Sequence, residues 1–357
     1  MLEADPTRIR NAWLGRISGC ELGKPVEGYA MRRGHKALRD YLERAGALPL
    51  RDYVPFIEGE LPERVRNTCR GYLERAEPDD DINYTALALL LLEKHGRALT
   101  TADVAREWLM SLPAGQTWTA ERAAYRVLLN RADDRFPVGG EPGFDLADCA
   151  QNEFNDWIGA QIRADLYGWV CPGDPSLAAH LVRRDAELSH VAEGVYGAVL
   201  VAALGAAIPA ATSLDDALDR ALQEIPAGSG AAEAVALGRS LVGVADAVER
   251  LHAAYPDMSP VHTLNNLAVV VWALRSWPDD CSAAVGEAVA AGWDTDCNGA
   301  TVGGLWGLSG KPIPAHWTEP WGGRVHVGLA GWGEMPVGEL VERTLSVAGR
   351  LAADGKN

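Results

Sequence analysis

The sequence predicts an all-α protein in which one compact multi-helix domain spans residues 1–357. Apolar residues recur near helical spacing in several segments, most clearly over residues 8–23 and 83–92. Helix start signals of the Asp-Pro and Ser-Pro type stand at residues 174–175 and 259–260. No tandem repeat and no Gly/Ser-rich linker divides the chain. With 357 residues and 48% hydrophobic content, the chain is long enough to bury a substantial core.

The predicted elements follow one another closely. The first helix, over residues 8–23, is ended by a Lys-Pro pair, and Glu27 follows it on a loop. Residues 31–76 contain several prolines and predict short helices, whereas the Gly- and Pro-rich residues 133–150 predict a loop. A short irregular or β-hairpin segment is expected near the C-terminus, around residues 324–327. The remaining predicted helices cover residues 79–95 with their entry loop, 101–112, 118–132, 174–185, 189–208, 213–224, 229–254, 260–275, the stretch from 278 to the loop at 294, and 340–353.

Charge and cysteine usage exclude several classes of protein. The 33 basic and 49 acidic residues give a net charge of −16, which argues against nucleic acid as a partner. The six cysteines are scattered without a CxxC pair, as expected for reduced thiols in a cytoplasmic protein. The N-terminus carries acidic residues where a secretory signal has a basic and then an apolar region. The longest apolar run, residues 195–208, is shorter than the ~20 residues that span a bilayer, so no membrane partner is expected.

Two aspartates stand at a junction between apolar segments late in the chain. Asp294 and Asp296 lie between residues 283–291 and 300–308, which predict buried helices. Carboxylates that leave water must be paired, hydrogen-bonded or bound to a cation. In the simpler interpretation, Asp296 caps the following helix and Asp294 satisfies a turn.

A second acidic cluster, residues 79–81, consists of three consecutive aspartates and precedes the apolar residues 83–92. Three adjacent carboxylates repel one another, and a helix cap needs only one of them. Hard divalent cations such as Mg²⁺ prefer oxygen ligands and offset this repulsion. The two clusters therefore predict one shared metal site at the start of two helices, and two separate solvated acidic turns are the alternative.

Residues 152–168 combine polar and aromatic side chains. If this segment is helical, Asp156 and Arg163 share one face, and Trp157 lies on an adjacent face. Such a helix is either a solvated surface or the wall of a cleft that binds a sugar or a base. His190, which precedes an apolar helix, is by itself more typical of a cap or packing residue than of a ligand.

Three motifs occur in the order found in the ADP-ribosylglycohydrolases. They are a Gly-rich first helix that leads into Gly23-Lys24-Pro25-Val26-Glu27, the acidic run Asp79-Asp80-Asp81, and Asp294-Thr295-Asp296. A Gly-Ala-x-x-Arg segment at residues 159–163 also matches the family. The chain therefore resembles the ADP-ribosylglycohydrolase family from about residue 8 to about residue 312. The resemblance implies a single helical domain of the ADP-ribosylglycohydrolase type.

The resemblance also implies a hydrolase that cleaves a glycosidic bond to ribose with two Mg²⁺ ions, with Mn²⁺ as the alternative ion. The expected partner is a ribosylated substrate, either an ADP-ribosylated protein or a small molecule. The implied catalytic residues are Glu27, Asp80 and Asp296, and Glu27 would activate water or protonate the leaving group. The implied metal ligands are Asp79, Asp80, Asp81, Asp294, Asp296 and Asn298. The predicted substrate contacts are Asn155, Asp156, Trp157, Arg163, Tyr167, His190 and Trp293.

The chain departs from the family pattern at two positions. Asp79 stands where many members have Thr or Ser, and Cys297 stands where many have a ligating Thr. A thiol is a poor ligand for Mg²⁺, and Asn298 is a candidate for the missing oxygen. Three functions stay open, namely a hydrolase that removes ADP-ribose from macromolecules, a hydrolase of small ribosylated metabolites or nucleosides, and a non-catalytic ADP-ribose binder. The retained carboxylates argue against the binder, which does not need a set of mutually repelling acids.

Overall fold

The computed structural model describes residues 1–355, and the last two residues of the predicted domain, 356 and 357, lie outside them. The described chain is mostly helical and has a two-stranded hairpin near its C-terminus, so the predicted all-α class and the hairpin are confirmed. The helices of the first half are α1 (Pro6–Gly23), α2 (Glu27–Arg44), α3 (Asp80–His95), α4 (Thr101–Ser111), α5 (Thr119–Arg131), α6 (Gly159–Ile162) and α7 (Asp165–Trp169). Short 3₁₀ turns lie at Glu63–Thr68, Gly96–Ala98, Ala114–Gln116, Phe136–Val138, Leu146–Ala150 and Ile208–Ala210.

The second half of the chain continues the helical pattern and carries the hairpin. The later helices are α8 (Pro175–Ala186), α9 (Ala192–Ala207), α10 (Leu214–Leu222), α11 (Gly230–Ser240), α12 (Ala247–Ala254), α13 (Thr263–Ser276), α14 (Cys281–Ala290), α15 (Thr295–Gly307), α16 (Ala315–Thr318) and α17 (Val337–Asp354). The strands β1 (Arg324–Val327) and β2 (Gly333–Pro336) pair antiparallel, with Val325 opposite Met335. The buried apolar side chains form one hydrophobic core that includes residues of both α1 and α17.

Helices α1 and α15 lie antiparallel, with their backbones in direct contact. A Cβ atom on Gly15 would lie 2.1 Å from the carbonyl oxygen of Gly303, and one on Gly19 would lie 2.0 Å from that of Gly299. Real Cβ atoms essentially never approach backbone atoms this closely, so only glycine fits at these crossing points. The glycines of both helices therefore permit the backbones to touch, and we call this contact the glycine seam.

The glycine seam also fixes which helix ends meet. Gly23 at the end of α1 lies against the backbone of Thr295 at the start of α15. The hydroxyl of Thr295 donates a hydrogen bond of 2.9 Å to the carbonyl oxygen of Gly23. Because α2 begins at Glu27, only a short turn beyond this point, the seam brings that residue close to the N-terminus of α15.

The apolar helix α9 is a core helix, as the sequence predicted. The segment Ala192–Ala210 is long and apolar enough to cross a membrane by composition, but 72% of its most apolar window is buried inside the protein. Helices α6, α7, α8 and α10 pack around it. The burial of this segment by other helices accounts for its apolar character.

One predicted helix is interrupted in the structure, and the segment that the sequence analysis considered as a helix, residues 152–168, is not continuous. Residues 229–254 form α11 and α12 rather than one helix, because Gly243 between them has a φ of 74°, outside the right-handed helical region. Residues 152–168 do not form one helix either, because part of their backbone pairs elsewhere. The N–H of Ile158 donates to the carbonyl oxygen of Val261, and the N–H of Thr263 donates to that of Asp156. Only the short helices α6 and α7 follow.

The segment after α1 also differs from the expectation. Where short helices and a loop were predicted, α2 runs for 18 residues from Glu27 to Arg44. It is kinked at Gly34, whose φ of 80° and ψ of 169° are not helical. Glu27 therefore lies in the first turn of a helix instead of on a loop.

Replacing Gly303 by alanine tests the glycine seam. The added methyl group would meet the carbonyl oxygen of Gly15 at 2.1 Å, so α1 and α15 would have to separate. We expect a loss of at least about 1–3 kcal/mol in the free energy of unfolding, as for overpacked cores, measured by urea denaturation. Gly349→Ala is the control, because Gly349 lies in α17 with open space around it. That change should stabilise by roughly 0.5–1 kcal/mol through helix propensity. Equal stability of the two variants would contradict the conclusion that only glycine fits where α1 and α15 touch.

Candidate metal centre

The first part of the site is assembled where α1, α2 and α15 meet. Glu27 lies in the first turn of α2, Asp294 immediately precedes α15, and Asp296 lies in its first turn. One carboxylate oxygen from each of these three residues lies within 4.8 Å of the others. No side-chain hydrogen bond from Asp294 caps α15, and Asp296 accepts only from the N–H of the next residue, Cys297. The simpler interpretation of this acidic pair as a cap and a turn is therefore wrong.

The second part comes from the N-terminus of α3. Asp79 caps this helix by accepting a hydrogen bond of 3.1 Å from the N–H of Asp81. Ligand atoms of Asp81, Asp296 and Cys297 lie within 4.8 Å of one another, so Asp296 belongs to both parts of the site. Asp80 and Asp296 line the same cavity. The structure thus brings together two acidic clusters that lie far apart in the sequence, and the alternative of two separate solvated turns is wrong.

A buried arginine, Arg16 in α1, connects the site to its surroundings. Its guanidinium forms a salt bridge of 3.0 Å with Asp81 and another of 2.8 Å with Asp165 in α7. It also donates to the carbonyl oxygens of Asp81 and Ile162. The sequence analysis did not identify Arg16, although its place between the apolar residues Leu14 and Ile17 of the first helix was a signal that it has a buried partner.

A second cation, Lys24, pairs with acids at the border of the site. Its ammonium lies 3.3 Å from a carboxylate oxygen of Asp79 and 3.2 Å from one of Glu21. It also donates to the carbonyl oxygens of Glu77 and Pro78 at 2.9 and 3.3 Å. Asp79, which stands where the family pattern has Thr or Ser, caps α3, and the ammonium of Lys24 lies beside its added charge. Lys24 is also a site residue that the sequence analysis missed.

The remaining carboxylates lack enough positive charge. Burial raises the pKa of Asp80, Asp81 and Asp294 well above the usual range, and that of Asp296 to about 6. The charge of Asp296 and then burial raise the pKa of Glu27. Only Asp79 differs, because Lys24 and the N–H of Asp81 outweigh its burial and lower its pKa. These shifts have one physical cause, which is a set of buried acids with too few cations.

Unpaired oxygen atoms show that the acids fit a cation. Asp81 Oδ2 and Asp294 Oδ1 are buried and accept no hydrogen bond. A buried carboxylate oxygen without a partner costs free energy, and a bound cation removes this cost. Glu27, Asp294 and Asp296 supply only oxygen ligands, the donor set that Mg²⁺ and Mn²⁺ prefer. The residues that the structure brings together are therefore suited to a hard divalent cation.

The acids face a cavity of about 240 Å³ with aromatic walls. Trp118, which is 57% exposed, and Trp157 both line it. Trp118, Glu121 and Met31 were not identified from the sequence as lining residues, since their position depends on how α2 and α5 meet the cavity. A cavity of about 270 Å³ elsewhere in the protein, between Arg8 and Lys311, has no carboxylate in its lining.

Of the seven predicted substrate contacts, only Trp157 lines this cavity. The amide of Asn155 donates to the carbonyl oxygen of Ala150 at 3.1 Å. Asp156 lies 3.1 Å from a ring nitrogen of His262. Both side chains therefore hold the bent segment before α6 in place instead of forming the cavity wall.

Three further predicted contacts belong to a buried network. Arg163 forms salt bridges with Glu121 and with Asp185, the latter at 3.0 Å. The hydroxyl of Tyr167 donates to Asp185 at 2.8 Å, and a ring nitrogen of His190 lies 3.9 Å from Glu121. Arg163, Tyr167 and His190 are at most 1% exposed, and none lines the cavity. Arg163 follows α6, Tyr167 lies in α7, and His190 lies between α8 and α9, so three different segments bring these side chains into the network. Their role as substrate contacts stays a prediction.

Trp293 and Asn298 flank Asp294 and Asp296 in the sequence and contact other parts of the protein, away from the cavity. Trp293 stacks on His252 at a centroid distance of 3.9 Å and has a φ of 57°, a strained value for a non-glycine residue. Asn298 donates to the side-chain oxygen of Asn266 at 2.8 Å, and that oxygen also accepts from the N–H of Asp294 at 3.2 Å. Neither residue lines the cavity. A role of Asn298 as a metal ligand stays a prediction.

The fold and the site together define an all-α protein with a carboxylate-rich candidate metal centre. The sequence profile of the ADP-ribosylglycohydrolase family matches residues 2–348. No curated protein sequence matches the chain. A solved structure described as an ADP-ribosylglycohydrolase-related protein complex has 21% identity and a TM-score of 0.54, and the match covers 97% of each chain. This likeness supports the fold.

The chain belongs to the ADP-ribosylglycohydrolase family. Its members are glycosidic hydrolases that act on ADP-ribosyl substrates, and the family depends on metal ions. The resemblance found in the sequence is thereby confirmed.

Replacing Arg163 by methionine separates a structural from a substrate-binding role. The change leaves Glu121 and Asp185 buried without their cation, so we expect a loss of about 3–5 kcal/mol in unfolding free energy. Chemical denaturation measures it. Arg126→Met is the control, because Arg126 is exposed on the same helix as Glu121. A variant with wild-type stability and a raised KM would instead indicate that Arg163 binds the substrate.

Replacing Asp294 by asparagine tests the cation site through stability. In EDTA the variant should melt at or above the wild-type temperature, because it removes one of several repelling carboxylates. Mg²⁺ or Mn²⁺ should raise the melting temperature of the wild type. At a cation concentration of one hundred times the Kd, the free energy of unfolding should rise by about 2.7 kcal/mol. The variant should gain much less. Asp257→Asn, at an exposed position, is the control and should respond as the wild type does. An identical response of Asp294→Asn would contradict the site.

Proposed function

We propose that this protein is a metal-dependent hydrolase that cleaves a glycosidic bond to ribose in an ADP-ribosylated substrate. The observation that carries the proposal is the convergence of Glu27, Asp80, Asp294 and Asp296 on one cavity with tryptophan walls. Membership of the ADP-ribosylglycohydrolase family supports the reaction class. The substrate and the metal ion are the parts that the proposal adds.

The metal would be Mg²⁺, or Mn²⁺ in its place. Two close ligand groups share Asp296, namely Glu27 with Asp294 and Asp81 with Cys297, which supports two cation positions, and Mg²⁺ or Mn²⁺ suits the first because it offers only carboxylate oxygens. When bound, a divalent cation would supply Lewis acidity to ribose hydroxyls and to water. The protein's own contribution is to hold the carboxylates in place through Arg16, Lys24 and the glycine seam.

The carboxylates also stabilise charge at the reacting carbon. Cleavage of a ribosyl bond develops positive charge on the sugar ring, and fixed negative groups favour that charge. Asp80 and Asp296 lie on the cavity surface, where such a ring would meet them. Trp118 and Trp157 offer flat apolar faces to the sugar or base and exclude water from its sides.

Glu27 is the candidate general base. Among the acids of the two clusters and Glu27, only Glu27 lies on α2, the helix that also contributes Met31 to the cavity lining. The charge of Asp296 and then burial raise the pKa of Glu27 above its usual value, which favours uptake of a proton by this carboxylate. Glu27 would accept a proton from the attacking water at its carboxylate oxygen.

A small ribosylated metabolite or a nucleoside is the second candidate substrate. Among the residues that the structure describes, no lysine or arginine lines the cavity. A diphosphate would therefore lie outside the cavity or be balanced by bound cations, whereas an uncharged nucleoside would fit without either. The volume of about 240 Å³ is also just below the range of roughly 300–1,000 Å³ for drug-sized ligands.

A substrate panel with Mg²⁺ distinguishes these candidates. ADP-ribosyl-arginine, ADP-ribosyl-serine, O-acetyl-ADP-ribose and ordinary nucleosides would be incubated with the protein and the products identified by mass spectrometry. Release of ADP-ribose supports the first candidate, and release of a base from a nucleoside supports the second. Binding of ADP-ribose without turnover of any substrate would support a non-catalytic binder.

We also propose a cytoplasmic location, which the six free thiols support.

Replacing Glu27 by glutamine tests the general base. The amide keeps the shape and one ligand oxygen but cannot accept the proton, so turnover should fall about 10²–10⁴-fold. Steady-state kinetics measures this loss, and Mn²⁺ binding is followed in parallel because Glu27 also lies in a ligand group. Glu43→Gln, exposed on the same helix, should keep wild-type turnover. Wild-type turnover in the Glu27 variant would leave no chemical role for this residue.

A further inference from the structure

Cys297 lies inside the acidic site, in the first turn of α15. It follows Asp296 directly and is 6% exposed. Its sulfur lies within 4.8 Å of ligand atoms of Asp81 and Asp296, and the residue lines the cavity. A thiol at this place is chemically different from every other ligand that faces the cavity.

An unpaired oxygen atom gives independent evidence for a ligand beside this thiol. Asp81 is fully buried, and its Oδ1 is paired with Arg16 at 3.0 Å. The second oxygen, Oδ2, accepts no hydrogen bond. Buried carboxylate oxygens are rarely left without a partner, so this oxygen is available to a cation that binds beside the Cys297 sulfur.

The two ligand groups that share Asp296 therefore differ in chemistry. The first, with Glu27 and Asp294, offers three carboxylates, and we call it the oxygen position. The second, with Asp81 and Cys297, offers two carboxylates and a sulfur, and we call it the sulfur position. Hard ions such as Mg²⁺ prefer oxygen ligands, whereas thiolates select softer ions such as Zn²⁺.

We propose that the metal centre holds two unlike ions, with a thiophilic divalent cation bound by Cys297, Asp81 and Asp296 at the sulfur position. The oxygen position keeps Mg²⁺ or Mn²⁺. When the thiophilic cation binds, the thiol proton leaves to solvent and the sulfur becomes a thiolate ligand, so the step needs no oxidant. This inference rests on the metal centre proposed above but not on the identity of the substrate.

Cys20 is the alternative source of sulfur, since it lies within 4.8 Å of ligand atoms of Asp79 and Asp81. It is less suited to bind an ion, because Asp79 is already paired with Lys24 at 3.3 Å. Cys20 also does not line the cavity through which an ion would enter. The geometry therefore favours Cys297, and Cys20 provides a matched control.

The test is a titration of the metal-free protein with Co²⁺, followed by absorption spectroscopy. A thiolate ligand gives an intense sulfur-to-cobalt charge-transfer band in the near ultraviolet, which oxygen ligands do not give. The variants are Cys297→Ser and Cys20→Ser, with Cys297→Thr as a second variant in case the first does not fold, and thermal melts check each fold. Mn²⁺ binding is measured in the same samples by electron paramagnetic resonance.

We expect a band in the wild type and in Cys20→Ser that saturates at one Co²⁺ per chain. It should be absent in Cys297→Ser and Cys297→Thr, while Mn²⁺ binding at the oxygen position persists. The affinity for Cd²⁺ should fall by at least about 10–100-fold in both Cys297 variants, the loss that even an outer-shell change commonly causes.

Three results would overturn the proposal. A wild-type complex with Mn²⁺ but without a charge-transfer band would show that no thiolate binds, although the metal centre itself would stand. Loss of the band in Cys20→Ser but not in Cys297→Ser would assign the sulfur ligand to Cys20. Absence of any divalent cation binding would reject both this inference and the metal dependence of the proposed function.

Discussion

The antiparallel contact between α1 and α15 is the constraint on which the rest of the structure depends. Glycines at the crossing points let the two backbones touch, so the end of α1 meets the start of α15. Glu27 follows the end of α1, and Asp294 precedes the start of α15. This contact alone therefore places Glu27 beside Asp294 and Asp296. Larger side chains at the seam would separate the helices and with them the acids.

Charge balance is the second principle of the site. The protein neutralises two of the acids with its own cations, Arg16 at Asp81 and Lys24 at Asp79. These internal salt bridges fix the orientation of α3 against α1. Only the pKa of Asp79 is lowered, whereas Asp81 and the acids without a cation partner have raised pKa values because of burial and mutual repulsion, and a divalent cation would stabilise their charge. The fold therefore buries more negative charge at the candidate metal centre than its own cations neutralise.

The buried network around Arg163 shows how a motif can be structural. Its guanidinium joins α5 to α8 through Glu121 and Asp185 and so holds the wall that carries Trp118 and Trp157 in place. The segment before Arg163 pairs its backbone with residues 261–263, so it bends instead of continuing as a helix. A family motif near an active site thus acts on the substrate cavity through packing and ion pairing.

The sequence by itself determined the helical class, the C-terminal hairpin, the family and the two acidic segments. These features depend on local periodicity, helix start signals and short motifs, which are properties of neighbouring residues. Only the tertiary structure decided that Arg16 and Lys24 neutralise particular acids, that α2 starts at Glu27, and that Arg163, Tyr167 and His190 face the core. The reason is physical. Which side chain meets which partner depends on how distant helices pack, and no local pattern specifies that packing.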